Sequence, residues 1–235
     1  MTILFFGNDF KYEIEAVAKI FFGAEKFSFV YEGDVSEFDG DIIFIRSVTD
    51  SQDTSLSVSV RLSGKTLAMS DSIPLGSDNY ENECEFILCR LLYTCIKKLT
   101  GITPSWGIIT GIRPVKKVNA LIDEGKAKEE ISIYLKEKYF VSDDKINLSY
   151  LTSVTQKPLL VIPEKSFSLY VSIPFCPTRC SYCSFVSHSM ESAAKLIPDY
   201  IEKLCEEIKI TAEIAKELGL SLDTVYFGGG TPTSI

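Results

Sequence analysis

The chain of 235 residues is long enough for one large domain or two ordinary ones, and its 46% hydrophobic content can fill a core. Its formal net charge of -8 argues against a nucleic-acid-binding or anionic-membrane surface. No apolar run reaches the roughly 18 residues that a membrane span needs, and the N-terminus does not resemble a signal peptide. We therefore expect a cytoplasmic protein whose 7 cysteines serve packing and ligand binding rather than disulfides.

The first part of the chain alternates short strand patterns with one helical pattern. Apolar spacing predicts strands at residues 2–6, 27–30, 41–48, 56–62 and 65–69, and a helix at residues 12–22. Ser63 and Gly64 are the predicted turn between the last two strands. These elements form a small α/β unit that contains a hairpin.

The next part is helical. From Tyr80 to Thr100 apolar residues recur every three or four positions, which predicts an amphipathic helix ended by Gly101. Pro114 indicates that a loop enters a helix, because its fixed φ suits a first-turn position. Arg113 beside it is either a solvated residue or a contact for an anionic carboxylate. Two further helical patterns follow at residues 126–139 and 143–154.

A proline-containing connection then separates two domains. Pro158 and Pro163 flank an apolar run, which is typical of an extended linker. We place the boundary near residue 165, with an N-terminal α+β domain over residues 1–165 and a second domain over residues 166–235.

The second domain reads as strand, loop, long helix and strand. An apolar run at residues 169–175 leads into a cysteine-rich loop, and a helical pattern from Ile197 to Leu218 leads into a strand at residues 223–227. Such a βαβ unit has parallel strands and a right-handed crossover. Both loops that follow its strands then lie at the carboxyl ends of the strands, where α/β sheets and barrels bind ligands.

The first of these loops carries Cys176, Cys180 and Cys183 in the pattern C-x3-C-x2-C. Three thiolates are one short of closing a four-iron cubane cluster, which leaves one iron open to an external ligand. The second loop, residues 228–231, is glycine-rich, so its backbone can approach a small polar ligand closely. Alternatively, His188 adds a fourth ligand for a closed zinc site, although zinc leaves the glycine-rich loop unexplained.

The sequence around these loops resembles that of the radical S-adenosylmethionine superfamily. The matching motifs are YVSIPFC, the aromatic residue before the third cysteine, and FGGGTPT, and they cover residues 170–185 and 226–233. They are most similar to the branch of oxygen-independent coproporphyrinogen III oxidases, or dehydrogenases, which also includes a haem chaperone. The long preceding domain with TGIRPVKK resembles the HemZ type. The resemblance implies an α/β fold in which an accessory domain precedes the first βαβ portion of a truncated (β/α)6 partial TIM barrel.

The resemblance also implies a cofactor set and a reaction. Cys176, Cys180 and Cys183 would bind a 4Fe-4S cluster. Contacts to S-adenosylmethionine would come from Tyr170, Tyr182, Gly229, Gly230 and Thr231. One-electron reduction of the sulfonium, by a donor such as flavodoxin or ferredoxin, would give methionine and a 5′-deoxyadenosyl radical. That radical would take hydrogen from a porphyrinogen propionate, which loses carbon dioxide to become a vinyl group. Two such events would convert coproporphyrinogen III into protoporphyrinogen IX for haem biosynthesis.

Two residues depart from the family pattern. Ser172 stands where the family usually has histidine, and Phe185 stands where the best-defined oxidases have a fourth cysteine. These departures leave two functions open, a radical enzyme of haem biosynthesis and a haem-binding chaperone of the same fold. The superfamily barrel has further strands, whereas the chain stops at Ile235. We therefore expect a fragment that on its own holds an incomplete site, has no substrate pocket and is inactive.

Overall fold

The computed structural model describes residues 1–23, 25–76, 79–111, 113–185 and 187–235. They form two compact units, Met1–Lys157 and Pro158–Ile235. The domain boundary that we place near residue 165 lies a few residues beyond the division between these units. None of the described helices has both the length and the apolarity of a membrane span.

A mixed five-stranded sheet organises the first unit. Its elements are β1 (Thr2–Phe6), α1 (Lys11–Phe22), β2 (Ser28–Tyr31), β3 (Ile42–Thr49), β4 (Asp53–Leu62) and β5 (Lys65–Pro74). The strand order is β2-β1-β3-β4-β5, with β1 parallel to β2 and β3, and β3, β4 and β5 antiparallel. Alternate residues of β4 are buried because only one face of that strand packs on the core: Thr54, Leu56, Val58, Val60 and Leu62.

Helix α2 (Tyr80–Thr100) covers the buried face of the sheet. The predicted bounds of this helix are confirmed, and it ends at Gly101, whose N–H donates to the Lys97 carbonyl over 2.8 Å. Leu88, Leu92 and Ile96 are fully buried on the face that packs with the strands. Each such side chain contributes about 1.5–3 kcal/mol of hydrophobic stabilisation, so this helix and β4 form the centre of the core.

Three shorter helices complete the first unit: α3 (Val115–Asp123), α4 (Lys128–Tyr139) and α5 (Asp143–Gln156). They enclose a small apolar cluster of Val118, Leu121, Ile131, Leu135, Val141 and Ile146. The preceding loop is fixed to the end of α4, since the Ile108 N–H donates to the Tyr139 carbonyl over 3.0 Å. Gly107 makes this approach possible with a φ of 58°.

Buried thiols in α2 give a first testable prediction. Burial raises the pKa of Cys89 to about 12 and that of Cys95 to about 11 from an ordinary value of 9.0. Because the thiolate is the nucleophile, we expect iodoacetamide in mildly alkaline buffer to modify exposed Cys205 and to spare both buried thiols until the protein is unfolded in urea. Mass spectrometry of the digested protein measures this. Modification of Cys89 and Cys205 at equal rates in the folded protein would contradict it.

The same two thiols predict how stability depends on pH. Above about pH 9 the unfolded chain releases thiol protons that the folded chain keeps, because the folded pKa values of Cys89 and Cys95 are raised. Below pH 9 the titration of these thiols is therefore not expected to change the free energy of unfolding. As the pH rises from 9 towards 12, the free energy of unfolding is expected to fall. Urea titrations across this range test it, with a Cys89→Ala, Cys95→Ala double variant as the control that lacks this contribution.

The second unit is a βαβ arrangement. Its elements are β6 (Ser166–Ile173), β7 (Phe175–Cys176), β8 (His188–Ser189), α6 (Met190–Ala193), α7 (Ile197–Glu217) and β9 (Ser221–Gly229). Strands β6 and β9 are parallel, as predicted for a βαβ unit, and the α/β fold class is confirmed. Val171 and Ile173 of β6 are buried in a cluster to which Leu204 of α7 contributes. The Tyr200 hydroxyl also donates to the Ser172 carbonyl over 2.7 Å, which ties this helix to the end of the strand.

Candidate functional site

The carboxyl ends of β6 and β9 lie side by side. In the parallel register Tyr170 pairs with Tyr226, Ser172 with Gly228 and Ile173 with Gly229. Since the cysteine loop follows the first strand and the glycine-rich loop follows the second, both loops leave the sheet at the same edge. The predicted meeting of the two loops is therefore present in the structure.

Backbone hydrogen bonds hold the glycine-rich loop against the start of the cysteine loop. The Gly230 N–H donates to the Ile173 carbonyl and the Thr231 N–H donates to the Phe175 carbonyl, each over 2.8 Å. A Cβ atom on Gly230 would lie 2.7 Å from Cys176 Sγ and 2.7 Å from the Phe175 oxygen, closer than real Cβ contacts come. Gly230 is thus the residue that lets one loop approach the first cysteine.

The other glycines of this loop accommodate an aromatic pair. The rings of Tyr170 and Tyr226 stack with centroids 5.6 Å apart and an interplanar angle of 21°. A Cβ atom on Gly228 would lie 2.5 Å from the Tyr170 hydroxyl oxygen, so this ring extends across the loop. Gly229 has a φ of 100°, which favours glycine. Tyr170 remains 58% exposed, and its ring is accessible to a ligand.

The cysteine loop keeps its three thiols accessible to different degrees. Cys180 is exposed, Cys176 and Cys183 are partly buried, and the Cys183 N–H donates to the Cys180 carbonyl over 3.1 Å. Tyr182 is 89% exposed, and its pKa is raised by a hydrogen bond with Cys180 and by the nearby thiols. The predicted residues of this loop are therefore neighbours of one another.

The thiols nevertheless do not converge on one point. Within the described ranges, no three histidine, cysteine, aspartate or glutamate side chains are arranged to hold a metal ion. Among the same described residues, the three cysteines and His188 are likewise not arranged as the four ligands of the zinc alternative. The donor chemistry still fits an iron–sulfur cluster, because residues 174–185 offer three soft thiols and no carboxylate. The contact between Gly230 and Cys176 adds a close backbone approach on one side of the first thiol.

A cavity of about 300 Å³ is lined in part by Cys176. Arg179 and His188 line it, together with hydroxyl groups of Thr178, Ser187, Ser189 and Ser192. These hydroxyl-bearing residues and Tyr226 are not among the predicted site residues. The alternation of side chains along a strand places Tyr226 on the same face as Thr224. Its pairing with Tyr170 could not be predicted in this way, because it depends on the β6–β9 register, which includes a bulge between Phe167 and Ser168.

The contact at Gly230 gives a third prediction. A Gly230→Ala variant places a methyl group against Cys176 Sγ, so we expect iron affinity after anaerobic reconstitution to fall by about 10- to 100-fold, the range for residues that support metal ligands. Iron analysis against increasing chelator concentration measures the change. Gly111→Ala is the matched control, since Gly111, like Gly230, has no positive φ and nothing lies within 4 Å of the added atom. Equal iron retention by both variants would contradict the prediction.

Comparisons with known proteins show which proteins the chain is similar to. Residues 170–235 match the model of the radical SAM superfamily. The chain is 38% identical over 141 residues to the oxygen-independent coproporphyrinogen-III oxidase-like protein HemZ of Bacillus subtilis, covering 58% of this chain and 28% of that relative. The predicted resemblance to the radical SAM superfamily and to the HemZ type is thereby confirmed.

Shorter matches connect the chain to heme chaperones named HemW. The chaperone of Mycobacterium tuberculosis is 37% identical over 76 residues, covering 32% of this chain and 19% of the relative. That of Bacillus subtilis is 40% identical over 68 residues, covering 29% of this chain and 17% of the relative. The chain thus spans less than a third of the length of each of these three relatives.

Proposed function

We propose that the protein is a radical S-adenosylmethionine enzyme of porphyrin metabolism, an oxygen-independent coproporphyrinogen III dehydrogenase. It would convert two propionates of its substrate into vinyl groups and so form protoporphyrinogen IX. Each conversion would give one hydrogen atom to a 5′-deoxyadenosyl radical, pass one electron to an external one-electron acceptor and release carbon dioxide. The observation that carries this proposal is the length of the HemZ alignment. Its 141 residues exceed the whole second unit and include part of the first, whereas the two chaperones align over 76 and 68 residues.

Three thiols hold the cofactor in this proposal. Cys176, Cys180 and Cys183 would bind a 4Fe-4S cluster, which supplies one-electron reduction of S-adenosylmethionine when bound. Closure of the loop would bring Cys180 and Cys183 towards Cys176, whose position is already fixed by the Phe175 carbonyl and Gly230. An external donor such as flavodoxin or ferredoxin would deliver the electron.

The glycine-rich loop and the tyrosines would hold S-adenosylmethionine. Gly229 and Gly230 present backbone without a Cβ atom beside Cys176, so polar ends of a ligand can reach main-chain groups there. Tyr170 offers an accessible ring beside the same loop, and Tyr182 offers a second ring next to Cys180. The Thr231 N–H donates to the Phe175 carbonyl, which fixes the backbone of Thr231 at the end of the loop.

The test follows porphyrin chemistry directly. Under anaerobic conditions with reductant and S-adenosylmethionine, we expect coproporphyrinogen III to be consumed and protoporphyrinogen IX to appear, with two carbon dioxide molecules released per substrate. Oxidised porphyrins separated by chromatography report both species. A protein that binds its cluster and cleaves S-adenosylmethionine but leaves the porphyrinogen unchanged would refute the dehydrogenase proposal.

A heme-binding chaperone is the second candidate. Phe185 follows the third cysteine by two positions, where the resemblance gives the best-defined oxidases a fourth cysteine. The two HemW chaperones match 76 and 68 residues of the chain at 37% and 40% identity. Spectroscopic titration with haem distinguishes the two. Tight stoichiometric haem binding without porphyrinogen turnover favours the chaperone, and turnover without haem binding favours the enzyme.

A further inference from the structure

The first unit contains an open cavity of about 530 Å³ that the proposed function does not use. Its walls come from α1, the first turns of α2, the loop before α3 and the end of α4. None of the residues that we assign to the cluster or to S-adenosylmethionine lines it. Residues of the motif TGIRPVKK supply one wall. Among them is Arg113, for which a solvated position and a contact to an anionic carboxylate are both open.

That wall is cationic. Arg113 and Lys117 are four residues apart at the start of α3, and both line the cavity. Lys117 Nζ donates to the Tyr139 hydroxyl over 3.4 Å and lies 4.6 Å from the centroid of that ring. Among the described residues, neither Arg113 nor Lys117 forms an ion pair with a carboxylate. The amino end of α3 adds partial positive charge, so this wall favours an anionic group.

The wall formed by α1 and α2 is acidic. Glu13 and Glu85 both line the cavity, and neither is in an ion pair with a described residue. Partial burial raises the pKa of Glu85, and the charge of Glu13 raises it further. Each of the two carboxylates destabilises the ionised form of the other. A cation placed between them therefore stabilises both ionised forms. This wall therefore favours an ammonium group.

Apolar side chains also line the cavity. Val17 and Phe86 line the cavity from α1 and α2, and Ile108 lines it from the loop. A ligand that carried only negative charge would be repelled by the glutamates, and one that carried only positive charge would be repelled by Arg113 and Lys117. A molecule with both charges and an apolar body matches all three parts of the cavity.

We propose that this cavity binds a small zwitterion of the α-amino-acid type. Its carboxylate lies between Arg113 and Lys117, its ammonium group lies between Glu13 and Glu85, and its side chain contacts Phe86. The first unit is then a ligand-binding domain in its own right. This proposal does not depend on the cluster or on porphyrin chemistry.

Calorimetric titration of the 235-residue chain with the standard L-amino acids tests it. We expect at least one to bind. For the tightest, the analogue without the ammonium group and the analogue without the carboxylate should each bind at least about tenfold more weakly, because each loses a charged hydrogen-bonded contact. Absence of binding by every amino acid would overturn the proposal.

Paired variants test the two walls separately. Arg113→Gln and Glu85→Gln should each raise the Kd at least about tenfold. Lys116→Gln and Glu81→Gln, which remove like charges from the same helices outside the cavity, should change it by no more than about twofold. Inorganic phosphate is the further probe. If it binds as tightly as the amino acid and is insensitive to Glu85→Gln, the cavity is a simple anion site and the zwitterion proposal fails.

Discussion

Iron binding is expected to be abolished in a Cys176→Ala variant and retained in Cys205→Ala. The first substitution removes the thiol that contacts Gly230 at the end of β7, so at most two thiols of the loop remain. The second removes an exposed thiol from α7. After anaerobic reconstitution with iron and sulfide, the unsubstituted chain and Cys205→Ala should hold about four irons per chain and show the visible absorption of a cluster.

Metal analysis makes this result decisive between the two metal hypotheses. One zinc per unsubstituted chain, without iron and without colour, would contradict the iron–sulfur site and support the four-ligand alternative that includes His188. In that case a His188→Ala variant should lose zinc, whereas it should keep its iron if the cluster interpretation is correct. Equal iron in Cys176→Ala and Cys205→Ala would mean that the iron is bound elsewhere.

The second large effect is expected at Gly107. A Cβ atom added there would overlap the Tyr139 carbonyl oxygen and approach the Phe140 backbone within 3.0 Å, and the residue has a φ of 58°. The left-handed conformation costs about 1–2 kcal/mol for a non-glycine residue, and overpacking costs typically about 1–3 kcal/mol more. Gly107→Ala should therefore lower the free energy of unfolding by roughly 2–5 kcal/mol.

Gly101→Ala separates the two contributions. Gly101 also has a positive φ, of 74°, but nothing lies within 4 Å of the added atom. Its substitution should cost only the conformational part, about 1–2 kcal/mol. Urea unfolding followed by circular dichroism measures both variants. Equal losses of stability would show that the end of α4 moves away from the loop without cost, contrary to the fixed contact between them.

Local patterns predict much of this fold because their causes are local. The helix from Tyr80 to Thr100 follows from apolar spacing and a terminal glycine, and the β4 pattern follows from one buried face. The full length of β5 was not predicted. Its second half contains Ser70, Asp71 and Ser72, which point to no strand by themselves. Pairing with β4 up to Pro74 imposes the extended conformation there.

The candidate site also has features that the sequence predicts and features that depend on tertiary structure. Cysteine spacing and the glycine run identify the two loops, but the contact between Gly230 and Cys176 depends on how two strands about fifty residues apart are aligned. The cavity of the first unit is less predictable still. Arg113 and Glu85 come from different elements, and only the packing of α2 and the loop before α3 places them around one space.

The strand order β2-β1-β3 has a consequence for protein synthesis. Strand β1 precedes both of its partners in the chain, but it occupies an interior position and needs β2 and β3 as neighbours. A nascent chain therefore cannot complete the pairing of β1 before residues 42–46 have left the ribosome. Until then Ile3, Leu4 and Phe5, all fully buried in the finished protein, are exposed. The β3-β4-β5 meander pairs sequence neighbours and closes with little loop entropy. During synthesis β1 therefore remains an unpaired apolar segment, which a ribosome-associated chaperone can bind. It docks once the middle of the chain has formed the surface that accepts it.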